Sequence, residues 1–128
     1  MNDSKPVWVA DQIIRHADRF KSPTVGLFGI AYKPDVEDVR ESPSLEIVNL
    51  LAKHSNIKLM VCDPMVKDPP MGLRGINTVR FGSIDETCDQ SDIVAFLVGH
   101  RQFRQLHPNR FLNKIVVDAI GLLSRERN

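Results

Sequence analysis

The residues with most chemical potential lie together in one short stretch, Ala31-Tyr32-Lys33-Pro34-Asp35-Val36-Glu37-Asp38-Val39-Arg40-Glu41. Lys33 is a compact cation on a flexible stem and Arg40 a planar fork, both suited to phosphate oxygens, and Tyr32 offers a flat face to a base or sugar. The same stretch carries four acids, Asp35, Glu37, Asp38 and Glu41, against those two bases. Its overall field therefore does not attract a diphosphate, and any contact with an anion has to be local. Two readings stand side by side: an anion- and sugar-binding loop, or a solvated loop whose charges pair with one another.

Other chemistries find little support. Cys62 and Cys88 lie far apart with no C-x-x-C or Cys/His pairing, and His16, His54, His100 and His107 form no H-E-x-x-H pattern, which argues against a metal site. Cys62 ends an apolar run and reads as a buried small hydrophobe. Cys88 sits among Asp85, Glu86 and Asp89, acids that raise a thiol pKa and make a poor nucleophile. The histidines fall in separate segments, so no Ser/His/Asp or Cys/His set follows from spacing. Gly26-x-x-Gly29 is only part of a dinucleotide fingerprint, because Gly26 falls inside a strand pattern rather than in the turn after it. Asp63 stands where dinucleotide folds place a ribose-binding acid, but followed by Pro64 and without the glycine turn it reads better as a turn residue.

The elements that must position these residues alternate in type. Trp8, Val9, Ile13, Ile14 and Ala17 recur at helical spacing and predict a helix from Trp8 to Phe20, after a capping-competent Ser4 and Pro6. Thr24 to Ile30 is almost wholly apolar, as a strand buried on both faces requires. Ser42-Pro43 supplies an N-cap and a first-turn proline for a helix running to about His54, with Leu45, Val48, Leu51 and Ala52 on one face. Ile57 to Cys62 is a second strand, and Met65 to Asn77 a loop. A short strand is possible at Thr78 to Phe81, and a capped helix is expected at Ser83 to Cys88. The buried strand Asp92 to Val98 follows, then a helical stretch at Arg101 to Leu106 and a last strand at Lys114 to Asp118. The pattern predicts an α/β domain: a Rossmann-like parallel sheet with helices on both faces, a three-layer sandwich. In such a sheet ligands gather at the carboxyl ends of the strands, which is where the 31–41 stretch lies.

With 128 residues there is room for one domain. Apolar residues at 42% and charged residues at 26% fit a water-soluble globular chain. Seventeen Lys and Arg against sixteen Asp and Glu give +1, which does not favour nucleic acid as a partner. No apolar run is long enough to cross a bilayer, and Met1 to Pro6 does not read as a secretory signal. A cytoplasmic location is the expectation.

At the loop the sequence becomes recognisable. Gly26-Leu27-Phe28-Gly29-Ile30-Ala31-Tyr32-Lys33-Pro34-Asp35-Val36-Glu37-Asp38-Val39-Arg40-Glu41-Ser42-Pro43-Ser44 resembles the G-L-A-[FY]-K-x-x-x-x-D-x-R-E-S-P signature of the UDP-glucose/GDP-mannose dehydrogenase family. The likeness extends along most of the chain, from Asn2-Asp3 to Val116-Val117-Asp118-Ala119. It implies residues 1–20 as the end of a linking helical region and 21–128 as a UDP-sugar-binding domain. It further implies an NAD-binding N-terminal domain and the catalytic cysteine elsewhere in the enzyme, so that this piece alone is silent in oxidising a sugar C6 alcohol to a carboxylate. By resemblance Tyr32 and Lys33 contact the UDP-sugar, and Arg40 reaches toward the NAD held by the other domain. Full-length members also suggest a homodimer.

Two positions refine the likeness. Leu97-Val98-Gly99-His100-Arg101-Gln102-Phe103 resembles the branch acting on UDP-N-acetyl-D-mannosamine, with UDP-glucose or UDP-N-acetylglucosamine as alternatives. Ile120 follows Asp118-Ala119 where many members carry a basic residue that touches substrate, a departure that leaves open a non-catalytic nucleotide-binding or scaffold module. A receiver-like signalling domain is disfavoured, because the first strand ends Gly29-Ile30-Ala31 without the acidic pair it needs.

Overall fold

The first strand, β1 (Thr24–Phe28), is buried along both faces and forms the middle of the sheet in the computed structural model, which describes residues 4–120. Asn2-Asp3, part of the family resemblance, lies outside the described residues. The other strands are β2 (Lys58–Cys62), β3 (Val79–Phe81), β4 (Ile93–Phe96) and β5 (Ile115–Asp118), in the order β3-β2-β1-β4-β5. Every pairing is parallel, with Val25 opposite both Leu59 and Ile93. The chain runs from β1 outward to β3 and then crosses back to β4, so the switch point lies between β1 and β4.

Among the described residues four helices flank the sheet: α1 (Ser4–Ala17), α2 (Pro43–Ala52), α3 (Ile84–Gln90) and the single turn α4 (Arg101–Arg104). Strand alternation sorts the core into two layers. Val25, Leu27, Leu59, Val61, Ile93 and Ala95 pack with α1 and α2. Phe28, Cys62, Val94 and Phe96 face the other way and meet Cys88, Phe103 and Phe111. On that side Phe28 lies 5.0 Å from Phe96 and edge-on to Phe103 at 5.4 Å, contacts adding about 0.5–1.5 kcal/mol each beyond their buried area. The three-layer parallel sandwich expected from the sequence is the fold observed.

Several boundaries differ from the expected ones. Helix α1 starts at Ser4 rather than Trp8, since a proline in the first helical turn forfeits no intrahelical hydrogen bond. Its buried face is Val9, Ala10, Ile13 and Ala17, and Trp8 is 59% exposed, so the indole does not belong to the core stripe. In α2 Ile47 is buried while Leu45 and Ala52 are only partly so. The N-cap at Ser42 accepts from the Ser44 amide, and Ser83 with Glu86 closes a full capping box on α3, both as their sequence contexts predict. The helical stretch expected to Leu106 stops at Arg104. A 3₁₀ turn at Met71–Leu73 lies between β2 and β3, and another at Pro108–Phe111 between α4 and β5.

Candidate functional site

Residues 29–42 leave the centre of the sheet and are tied down at point after point. The Gly29 amide donates to the Cys62 carbonyl at 2.9 Å, continuing the β1–β2 ladder one residue past the strand. Gly29 has φ +103°, and a Cβ there would come within 2.6 Å of the Val98 Cβ, so only glycine fits this turn. Gly26 has a packing role instead. A Cβ on it would collide with Ser91 Oγ and with Thr87 Cγ2 at 2.8 Å, because α3 lies directly on the strand.

Asp63, at the end of β2, holds the start of the loop. Its Oδ2 accepts from the Ile30 and Ala31 amides at 2.7 and 3.0 Å, and Oδ1 from the Met65 amide at 2.8 Å. The His100 ring completes the set, its Nε2 2.9 Å from Asp63 Oδ2, with the two side chains 0% and 1% exposed. Nδ1 of His100 accepts from the Asp35 amide at 2.8 Å, so its proton sits on Nε2 and is donated to Asp63. Burial alone would raise the Asp63 carboxyl, but hydrogen bonds from His100, Ile30 and Met65 outweigh it and hold the group below the ordinary carboxylate value. The turn role read for Asp63 is present in the Met65 contact. Both oxygens are engaged inside the protein and the side chain is 1% exposed, which commits the carboxylate to holding the loop.

The middle of the loop is strained and braced. Asp35 has φ 61° and Glu41 φ 54°, conformations costing on the order of 1–3 kcal/mol each for residues with a side chain. At Asp35 the bracing is two-sided: its amide binds His100, and its carboxylate accepts from the Arg101 amide at 2.8 Å. The Tyr32 amide donates to the Asp38 carbonyl at 2.6 Å, and Ser42 Oγ to the Ala31 carbonyl at 3.3 Å. Sequence reasoning missed the Asp63–His100–Asp35 chain. Its only local trace was a histidine and an aspartate each standing just past an apolar strand run.

This bracing presents Tyr32 and Lys33 to a cavity of about 400 Å³ beyond the ends of β1, β4 and β5. Its wall also includes Val9 of α1, Ser44 and Ile47 of α2, and the Leu97 to Gly99 and Ala119 to Ile120 segments. Tyr32 is 55% exposed, and Lys33 has no acidic partner among the described residues. Arg40 lies elsewhere: it does not line the cavity, its side chain is 87% exposed, and it pairs with Asp38 at 3.0 Å. The Arg40 hydrogen bonds hold the Asp38 carboxyl below its usual range. The reading of mutually paired loop charges thus describes Arg40 and Asp38, while Lys33 is left to face the cavity.

Both cysteines are buried. Burial drives the Cys62 thiol far above its ordinary value. Cys88 is also raised, chiefly by burial, with Asp85 and Asp89 adding to it and Arg110 opposing. The expected direction for Cys88 holds, and the main cause is its place beneath the aromatic layer. After the Gly29 turn β1 leads into the long 30–41 loop, and the Asp63 carboxylate is bonded within the fold.

A parallel sheet wound in both directions from a central strand, with a cavity at the strand ends beside the switch point, defines a doubly wound α/β ligand-binding domain. The chain belongs to the UDP-glucose/GDP-mannose dehydrogenase family, whose UDP binding domain matches residues 26–125. It is similar to the NDP-N-acetyl-D-galactosaminuronic acid dehydrogenase of Ralstonia nicotianae, 35% identical over 99% of this chain and 29% of that protein. It is 33% identical to the UDP-N-acetyl-D-mannosamine dehydrogenase of Escherichia coli over 95% of this chain and 30% of the relative. Among solved structures, a UDP-glucose dehydrogenase from Pyrobaculum islandicum superposes with a TM-score of 0.78 at 26% identity, covering 92% of this chain and 26% of that one. The chain therefore spans less than a third of the length of these relatives. No helix among the described residues is long and apolar enough to cross a membrane.

Proposed function

We propose that this chain holds the UDP-sugar in an NAD-dependent UDP-N-acetyl-D-mannosamine 6-dehydrogenase, with residues 1–20 continuing a helical linker and 21–128 forming the binding domain. The observation that carries the reading is the strand-end cavity into which the braced loop delivers Tyr32 and Lys33. Lys33 serves phosphate or ribose oxygens as a flexible cation, and Tyr32 supplies a flat face to the base or sugar. Arg40, exposed and outside the cavity, reaches toward NAD on the N-terminal domain of the complete enzyme. The nicotinamide cofactor is held there, since the loop after β1 and the engaged Asp63 offer it no dinucleotide turn.

Oxidation of the C6 alcohol to a carboxylate requires a nucleophilic cysteine, and neither buried thiol here can act as one. The domain by itself is catalytically silent and completes its site against the rest of a cytoplasmic enzyme that assembles as a homodimer. The relatives' names favour an N-acetylated sugar, one mannosamine and the other a galactosamine-derived acid. Ile120 on the cavity wall favours a second reading, a nucleotide-binding module that has lost catalysis.

Calorimetric titration of the chain with UDP, UDP-N-acetylmannosamine and UDP-glucose tests the proposal. Binding that weakens in Lys33→Ala, with the N-acetyl sugar preferred, is the expected outcome. NADH formation by the chain alone would refute the silent-fragment part, and equal affinity of wild type and Lys33→Ala would refute the site.

A further inference from the structure

Two of the cavity's walls come from distant parts of the chain. One is the loop segment Tyr32 to Pro34, and the other is the Leu97 to Gly99 segment that follows β4. Each runs directly into one partner of a single hydrogen bond. Asp35 follows Pro34, His100 follows Gly99, and the Asp35 amide donates to His100 Nδ1 at 2.8 Å. A second bond closes the same seam, the Arg101 amide donating to the Asp35 carboxylate at 2.8 Å. On the His100 side the seam is firmly anchored. The ring is fully buried, its Nε2 lies 2.9 Å from Asp63 Oδ2, its centre is 5.4 Å from that of Phe103, and the His100 carbonyl accepts from the Phe103 amide at 3.0 Å. On the other side Asp35 sits at φ 61°, a conformation that persists only while its surroundings hold it.

We infer that His100 is a positioning residue for the cavity's ligand: its Nδ1 staples the loop wall to the wall behind β4 and so fixes where Tyr32 and Lys33 stand. The imidazole acts through Asp35 and need not touch the ligand. This rests on the nucleotide-sugar reading given above and names the side chain through which the fold sets the affinity of that site.

Two amide side chains separate this role from a general structural one. Asparagine places its carbonyl oxygen near the position of Nδ1, so His100→Asn keeps an acceptor for the Asp35 amide and loses the bond to Asp63. Glutamine places its NH₂ near the position of Nε2, so His100→Gln keeps the Asp63 bond and loses the Asp35 one. The Asp63 bond is charge-assisted and the stronger of the two, so His100→Gln is expected to be the more stable variant in urea denaturation. Ligand binding is expected to rank them the other way. Tyr32 is the sole tyrosine of the chain, so fluorotyrosine labelling yields one fluorine resonance that reports on the loop. In His100→Gln that resonance is expected to shift or broaden without ligand, and UDP to bind roughly three- to tenfold more weakly, the loss of one hydrogen bond. His100→Asn is expected to stay close to wild type in both. A His100→Gln variant that binds UDP as tightly as His100→Asn would overturn the inference, and with Lys33→Ala still weakened the site itself would stand. Should the wild-type chain bind no UDP, the nucleotide reading falls, and the ligand-free resonance decides alone: the same signal in His100→Gln as in wild type would overturn the staple too.

Discussion

Asp63→Asn is the most informative perturbation of this domain, because it changes one atom and one charge at the point where three segments meet. The carboxylate accepts four hydrogen bonds, from Ile30, Ala31, Met65 and His100. In the asparagine variant the remaining carbonyl oxygen best serves the three donors around Oδ2. The new NH₂ then faces the Met65 N–H, leaving a donor without an acceptor, which costs about 1–3 kcal/mol when buried. The three surviving bonds lose their charge assistance, roughly half their strength. Relief from burying a charge offsets part of this, so a net loss of about 2–3 kcal/mol is expected. Urea denaturation followed by far-UV circular dichroism measures it. The folded Asp63 carboxyl titrates below its ordinary value, so its contribution is complete above about pH 4 and fades as the pH falls through the lowered value. The wild type should therefore lose more stability than Asp63→Asn between neutral pH and pH 3. A variant within about 0.5 kcal/mol of wild type, with the same acid profile, would refute the account of this buried tie.

Two further outcomes follow from packing. Gly29→Ala combines a left-handed φ with a Cβ 2.6 Å from Val98 Cβ, and should destabilise the fold by about 3 kcal/mol or more in the same denaturation experiment. Both thiols should resist a disulfide-exchange reagent such as dithionitrobenzoate at pH 8 and react fully after unfolding, since burial raises each of them; fast native-state labelling of either would contradict their placement in the aromatic layer.

The sheet was legible because strands buried on both faces are apolar without interruption, and Thr24 to Phe28 and Ile93 to Phe96 carry that run whatever surrounds them. Capping was legible too, since Ser42-Pro43 and Ser83 to Glu86 act within one turn. The start of α1 was not, because the apolar spacing begins later than the hydrogen-bonded helix does. Trp8 was misplaced for a related reason: periodicity counts an indole as apolar, but one helical face had already been filled by Val9 and Ile13. In the site, Tyr32 and Lys33 could be chosen by chemistry alone. The partners of the loop could not, because His100 and Asp63 are separated by 37 residues and His100 and Asp35 by 65. Nothing local records that the fold returns all three to one point.

That separation also orders events in time. Residues 24 and 92, joined between β1 and the approach to β4, are 68 apart, so the central strand acquires its second neighbour only after a long stretch of chain has closed on itself. His100 and the first amide of α4 come into place with that closure, and until then Asp35 has neither of its braces. The middle of the loop, around Asp35, therefore depends on the docking of β4, and the Leu97 to Gly99 wall of the cavity is supplied only by the chain that follows it.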